Sequence, residues 1–192
     1  VVAIASSTGG PPAIQAILTG LLSDFGASIV ISQHMPPGFT RSFAERLNKI
    51  SPLVVSEATA GDRIRAGMAF VAPGGHHLLV RRDREGLFAE LKPRGPADKY
   101  VPSADRMMIS VADACGAAAL GVVLTGMGND GARGALAIKK RQGQCLAESE
   151  ESAVIFGMPQ EAIRAGAVDK VLPLVKMAEE ISTRCTGRGC RS

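Results

Sequence analysis

The chain has 192 residues, of which 46% are hydrophobic and 21% are charged, and its formal net charge is +4. These values are typical of one globular domain and exclude a disordered chain. The small net charge, the single Tyr and the lack of Trp argue against nucleic-acid binding, because bases stack on aromatic side chains set among basic ones.

We expect neither a membrane span nor a leader in this sequence. Its apolar runs are well short of the roughly 18–20 residues that a span needs, so we expect no membrane insertion. The chain opens on a strand-like segment without a basic region and a cleavage site. We therefore expect no signal peptide and a cytoplasmic location.

The predicted elements alternate between strands and helices. Val1–Ala5 is a short apolar strand, and Ile14, Ile17 and Leu18 then share one face of a helix that follows two prolines. The charged turn that ends at Gly86 divides "HLLVRRDREGLFAEL" into a hairpin. Further strands are predicted in "ASIVIS", "LVVSEA", "MAFVAP", "ALGVVLT", "QCLAES" and "KVLPL", and further helices in "FTRSFAERLNKI", "SADRMMISVADAC", "GARGALAIKKRQ", "MPQEAIRAG" and "LVKMAEEIS".

This alternation predicts the α/β class, with a doubly wound, mostly parallel sheet, helices on both faces and an antiparallel hairpin addition. Neither an internal repeat nor a linker divides the sequence. We therefore expect one domain over residues 1–182, followed by a disordered tail over residues 183–192.

Reactive side chains follow three of the predicted parallel strands. Ser7 lies in "SSTGG" after the first strand, His34 in "SQHMPPGF" after the second, and Asp130 in "GMGNDG" after "ALGVVLT". In an open α/β sheet the functional site lies at the carboxyl ends of the strands. A hydroxyl, an imidazole and a carboxylate there indicate the nucleophile, base and orienting acid of a serine-hydrolase triad. We expect the Ser7 hydroxyl within hydrogen-bond reach of one His34 ring nitrogen, and a buried Asp130 carboxylate at the other.

Each of these motifs also has a purely structural interpretation. A Ser/Gly-rich junction is often a turn and cap, a lone histidine after a strand is usually structural, and Asn-Asp-Gly is a common turn. "GMGNDG" also matches G-x-G-x-x-G between a strand and a helix, which leaves open a non-catalytic dinucleotide- or phosphate-binding module. Against that alternative, Asp130 would place a carboxylate beside the bound pyrophosphate.

The cysteines do not form a metal-binding pattern. Cys115, Cys145, Cys185 and Cys190 include no C-x-x-C pair, and none lies near a histidine in the sequence. We therefore expect reduced thiols, no metal site and no cofactor.

A family resemblance is carried by "IASSTGGP", "SQHMPPGFTRSFAERLN", "VAPGGHH", "VPSADRMM", "VVLTGMGNDGARG" and "VIFGMPQEAI". These segments resemble the catalytic domain of the chemotaxis-receptor methylesterases (CheB type), over about residues 1–175 of the chain. The resemblance implies a doubly wound α/β sheet. It also implies a protein-glutamate methylesterase that hydrolyses methyl esters on the cytoplasmic helices of chemoreceptors, and many members also deamidate particular receptor glutamines.

The resemblance also implies roles for individual residues. By position in the motifs, the family nucleophile falls on Ser7, the base on His34 and the orienting acid on Asp130. Backbone N–H groups near Thr8 and Met127 are the candidates to hold the oxyanion.

Two departures from the family pattern stand out. The family commonly has a glycine and an alanine where this chain has Ala5 and Ser6. Because side chains alternate along an extended segment, only one of Ser6 and Ser7 can face His34. Members of the family usually also carry an N-terminal receiver domain that covers the active site until it is phosphorylated, and these residues contain none.

Overall fold

The computed structural model describes residues 1–186 of the chain. Strands and helices alternate as predicted. The strands are β1 (Val2–Ser6), β2 (Ile29–Gln33), β3 (Val54–Glu57), β4 (Met68–Val71), β5 (His76–Asp83), β6 (Gly86–Pro93), β7 (Leu120–Val123), β8 (Gln144–Glu148) and β9 (Lys170–Leu172). The helices are α1 (Gly10–Thr19), α2 (Phe39–Ile50), α3 (Ala104–Cys115), α4 (Ala132–Lys140), α5 (Gly157–Arg164) and α6 (Leu174–Thr186), and a 3₁₀ turn spans Gly116–Ala118.

The seven-stranded sheet has the order β3-β4-β2-β1-β7-β8-β9, and its paired strands are parallel. The first strand lies at the centre, with β2, β4 and β3 on one side and β7, β8 and β9 on the other, which is the doubly wound arrangement that the sequence predicts. The two neighbours of β1 are β2 and β7. The carboxyl ends of these three strands therefore lie side by side.

Helices cover both faces of the sheet. Along β1, Val2 and Ile4 pack into one core with α1, α2 and α6, whereas Ala3 and Ala5 pack into a second core with α3, α4 and α5. All four side chains are fully buried. A strand covered on both faces has a continuous run of apolar residues, which is the pattern that predicts β1 in the sequence.

The hairpin of β5 and β6 is a separate two-stranded antiparallel sheet and does not extend the main one. It packs on α3, where the Ser110 hydroxyl accepts a 2.8 Å hydrogen bond from the Val80 N–H. The hairpin thus supports the helix whose first turn borders the predicted site.

Helix α6 runs through Thr186, beyond residue 182, where the predicted domain ends. Its last turns are tied down by Glu180, which pairs with Lys170 at 2.6 Å and with Arg184 at 2.7 Å. Residues 187–192, the rest of the predicted tail, lie outside the described residues. Within residues 1–186, none of the helices combines the length and the hydrophobicity that crossing a bilayer requires.

Candidate active site

The parallel pairing of β2, β1 and β7 brings the three predicted site residues to one edge of the sheet. The His34 N–H donates to the Ser6 carbonyl at 3.1 Å, and the Ser7 N–H donates to the Thr125 carbonyl at 3.0 Å. The backbone directly after each strand is therefore hydrogen-bonded to its neighbour. These bonds place the residues at fixed positions relative to one another, although positions 7 and 130 are far apart in the chain.

His34 and Asp130 form the central contact of the site. The His34 Nε2 lies 2.7 Å from Asp130 Oδ2, the distance expected for a strong hydrogen bond to a carboxylate. The Asp130 side chain is 1% exposed and that of His34 is 15% exposed. A buried carboxylate thus meets an imidazole that remains open to solvent on part of its surface.

Asp130 is held in place by the amino-terminal turn of α3. Its carboxylate accepts hydrogen bonds from the Ser103 hydroxyl at 3.0 Å and from the backbone N–H groups of Ala104 and Asp105 at 2.7 and 2.9 Å. Burial alone would raise the pKa of Asp130. The hydrogen bonds from His34 and from the Asp105 and Ala104 N–H groups outweigh burial and hold that pKa below its usual value. Asp130 is therefore a carboxylate at neutral pH.

The structure separates the two adjacent serines. Ser6 is fully buried and its hydroxyl donates to Gln33 Oε1 at 2.7 Å, whereas Ser7 is half-buried. The expected hydrogen bond between Ser7 and His34 is not formed, because the Ser7 hydroxyl has no hydrogen-bond partner within 3.5 Å in residues 1–186. Since Nε2 of His34 is occupied by Asp130, Nδ1 is the nitrogen left for Ser7.

Gln33 connects the chain segments that carry Ser7 and His34. Its side chain is buried, and its amide donates to the Ser7 carbonyl at 2.9 Å and to the His34 carbonyl at 3.1 Å. A Cβ on Gly10 would collide with Gln33 Oε1 and lie 2.8 Å from Ser6 Oγ. Only glycine at position 10 lets helix α1 begin this close to the Gln33 amide.

The two N–H groups proposed to hold an oxyanion are free to do so. In the described part of the chain, neither the Thr8 N–H nor the Met127 N–H donates a hydrogen bond. Thr8 precedes the amino terminus of α1, where the helix dipole adds positive potential. Met127 is held by its neighbour, since the Gly126 carbonyl accepts from the Met158 N–H at 2.8 Å in the first turn of α5.

The "GMGNDG" loop does not offer a free helix terminus to a phosphate. Asp105 Oδ1 accepts from the Gly131 N–H at 2.9 Å and from the Gly134 N–H at 2.8 Å, so a buried carboxylate already caps α4. An anion there would meet the charges of both Asp105 and Asp130. The dinucleotide alternative is disfavoured on this ground.

Sequence reasoning missed three neighbours of the site. Asp105 and Gln33 gave no signal beyond their proximity to predicted elements. Tyr100 lies in a loop without periodicity, yet its ring stacks on that of His34, with centroids 4.8 Å apart and an interplanar angle of 5°. No group of three or more His, Cys, Asp or Glu side chains that could hold a metal ion occurs in residues 1–186.

Comparison with known proteins gives a consistent family. Residues 2–181 match the family model described as CheB methylesterase. The chain is 55% identical over 185 residues to protein-glutamate methylesterase/protein-glutamine glutaminase 3 of Geobacter sulfurreducens, covering 96% of this chain and 50% of that protein. It is 51% identical over 174 residues to protein-glutamate methylesterase/protein-glutamine glutaminase 1 of Myxococcus xanthus, covering 91% of this chain and 50% of that protein. The chain thus spans about half the length of these curated relatives.

A solved structure agrees with the sequence comparisons. The crystal structure of the Thermotoga maritima CheB methylesterase catalytic domain superposes with a TM-score of 0.92 at 39% identity. The match covers 95% of this chain and 96% of that one. The predicted α/β fold is confirmed by this similarity.

Proposed function

Since the chain belongs to the CheB methylesterase family, we propose that it hydrolyses methyl esters of glutamate side chains on the cytoplasmic helices of chemotaxis receptors and releases methanol. The observation that carries this proposal is the 2.7 Å contact between His34 and the buried Asp130, made beside the strand end that presents Ser7. An imidazole held by a carboxylate next to a serine is the arrangement by which serine hydrolases activate their nucleophile.

In the proposed reaction, Ser7 Oγ attacks the ester carbonyl of a methylglutamate while His34 Nδ1 takes the hydroxyl proton. Asp130 accepts a hydrogen bond from the Nε2–H of His34, which fixes the tautomer with a free Nδ1 and stabilises the imidazolium that forms. The Thr8 and Met127 N–H groups hold the negative oxygen of the tetrahedral intermediate. Collapse of this intermediate breaks the ester C–O bond, and His34 returns its proton to the departing methanol.

The second half of the reaction uses the same groups. His34 takes a proton from a water molecule, which attacks the acyl carbon bonded to Ser7. The intermediate expels Ser7 Oγ, which recovers the proton from His34, and a glutamate side chain is left on the receptor. With an amide in place of the ester, the same sequence releases ammonia, so we include deamidation of receptor glutamines in the proposal. It is supported by the names of the two curated relatives.

The test is methanol release from chemoreceptor membranes whose glutamates carry labelled methyl esters. We expect volatile label to appear in proportion to the concentration of this chain. A second assay on receptors with unmodified glutamines measures ammonia. If membranes release no methanol above background while the chain binds a dinucleotide or inorganic phosphate, the proposal fails and the phosphate-binding alternative is favoured.

A further inference from the structure

A second histidine–carboxylate pair is connected to the first one, His34–Asp130, through Ser103. His77 is fully buried, and its Nε2 lies 2.9 Å from Oδ2 of Asp98. Its Nδ1 accepts a 3.2 Å hydrogen bond from the Ser103 N–H, so Nδ1 carries no proton and Nε2 donates to Asp98. The bond from His77 is also the main reason that the pKa of Asp98 lies below its usual value. The proposed mechanism uses neither residue.

The pair fixes both ends of the loop between β6 and α3, residues 94–103. At its start, Asp98 Oδ2 accepts from the Gly95 N–H at 2.7 Å, and Asp98 Oδ1 pairs with Arg106 in the following helix. At its end, Ser103 donates its N–H to His77 and its hydroxyl to Asp130. The buried His77 imidazole therefore hydrogen-bonds to Ser103, whose hydroxyl in turn donates to Asp130.

The same loop carries Tyr100 onto the face of His34. The two rings are nearly parallel, and an added Cβ on Gly128 would lie 2.5 Å from the Tyr100 hydroxyl oxygen. Gly128 belongs to the segment that leads to Asp130. Tyr100 is thus wedged between His34 and the Gly126–Gly131 loop, and its hydroxyl has no hydrogen-bond partner within the part of the chain described here.

We propose that Tyr100 is a positioning residue for the His34 imidazole and that the His77–Asp98 pair positions Tyr100 and Ser103. Asp130 restrains His34 at one ring nitrogen only, which leaves rotation about that hydrogen bond. The parallel ring of Tyr100 covers one face of the imidazole and limits this rotation, which keeps Nδ1 available to Ser7. Small displacements of a base carry large rate penalties, because proton transfer requires close approach. This inference rests on the proposed function, in which His34 is the base.

The first test compares Tyr100→Phe with Tyr100→Leu in the full chain. Phenylalanine keeps the stacked ring, so we expect it to retain most of the activity. Leucine removes the ring, and we expect kcat for methanol release to fall roughly 10- to 100-fold with little change in KM. Unchanged kcat in Tyr100→Leu overturns the proposal, and so does a loss confined to KM, because Tyr100 would then contact substrate instead of positioning His34.

The second test does not depend on turnover. The chain has only three histidines, so protein labelled with ¹⁵N-histidine allows each ring to be assigned by NMR. We expect the downfield proton of the His34–Asp130 hydrogen bond to persist in Tyr100→Phe and to broaden or shift in Tyr100→Leu. An unchanged signal in Tyr100→Leu overturns the proposal. If the wild-type chain releases no methanol, the proposed function fails while this signal still decides the positioning role.

His77→Gln tests the His77–Asp98 pair, and His76→Gln is its matched control. His76 is the adjacent residue, is exposed and makes no side-chain hydrogen bond within the described residues. We expect His77→Gln to reproduce the kcat loss and the altered His34 signal of Tyr100→Leu, and His76→Gln to match the wild type. A folded His77→Gln protein with wild-type kcat would refute the role of the pair. Should His77→Gln fail to fold, the Tyr100 variants still decide the proposal.

Discussion

Asp130 and Asp105 cap each other's helices. The carboxylate of Asp130, just before α4, accepts from the first N–H groups of α3, while Asp105 in α3 accepts from the N–H groups of Gly131 and Gly134 at the start of α4. Both carboxylates are buried. The interaction that orients His34 is thus also part of the packing of two helices, which keeps Asp130 rigid.

The two aspartates are expected to differ in what they contribute to rate. Asp130→Asn places an amide N–H₂ group among hydrogen-bond donors and favours the wrong His34 tautomer. We expect kcat/KM to fall by about 10⁴-fold in a protein that still folds. Asp105→Asn weakens the cap of α4 and is expected to lower the free energy of unfolding by about 1–2 kcal/mol, with a far smaller loss of rate.

Steady-state methanol release and urea denaturation of both variants check this prediction. If Asp130→Asn and Asp105→Asn lowered the rate equally, Asp130 would act only through folding. An Asp130→Asn variant with a near-normal rate would remove the orienting role altogether.

The low pKa of Asp130 also makes stability depend on pH. Because this pKa is lower in the folded protein than in the unfolded chain, the unfolded state binds protons first as the pH falls. The stabilisation is complete above the unfolded value, ~3.9, and is lost as the pH falls through the folded value. We therefore expect the free energy of unfolding to fall less steeply in acid for Asp130→Asn than for the wild type.

Urea denaturation at a series of pH values below about 5 measures this slope. Asp24→Asn is the control, since Asp24 is exposed and makes no hydrogen bond among the described residues. Identical slopes for wild type and Asp130→Asn would contradict the assigned pKa direction.

Gly126 is predicted to be essential for the position of Ser7. An added Cβ would lie 2.8 Å from Ser7 Cβ and 3.0 Å from Ser7 N, and it would collide with the Met158 sulfur. We expect Gly126→Ala to lower kcat about tenfold or more, because Ser7 must shift from its position at the strand end.

Gly26→Ala provides the matched control for this substitution. The added methyl group at position 26 meets no atom within 4 Å, and the backbone there is outside the left-handed region. Activity of Gly26→Ala should equal that of the wild type. A Gly126→Ala enzyme with wild-type kcat would show that the crowding around Ser7 is relieved without cost.

The sequence predicts the strands and the three triad residues of this site better than it predicts the side chains that contact them. The apolar runs identify β1, β2 and β7, and parallel pairing then places Ser7, His34 and Asp130 at one sheet edge. Strand period and strand ends are local properties, so they can be predicted from residue order alone. A serine before a helix is a local signal of the same kind, and the Ser103 hydroxyl at the start of α3 does accept from the Arg106 N–H.

The contacts that support the triad depend on tertiary structure. Tyr100 reaches His34 from a loop without periodicity, and His77 lies fully buried in β5. Neither position can be inferred without knowing how the β5–β6 hairpin packs on α3. The missing Ser7–His34 hydrogen bond is likewise a matter of side-chain conformation, and such bonds often tighten only when substrate binds.

The measurement that tests the account most directly compares methanol release by Ser7→Ala and Ser6→Ala. Ser7 is half-buried beside two free N–H groups, whereas the Ser6 hydroxyl is buried against Gln33. We expect Ser7→Ala to lower turnover by roughly 10³-fold or more, because the residues of a triad act as a unit. Ser6→Ala should keep most of the activity. An inactive Ser6→Ala enzyme together with an active Ser7→Ala enzyme would contradict the assignment of the nucleophile.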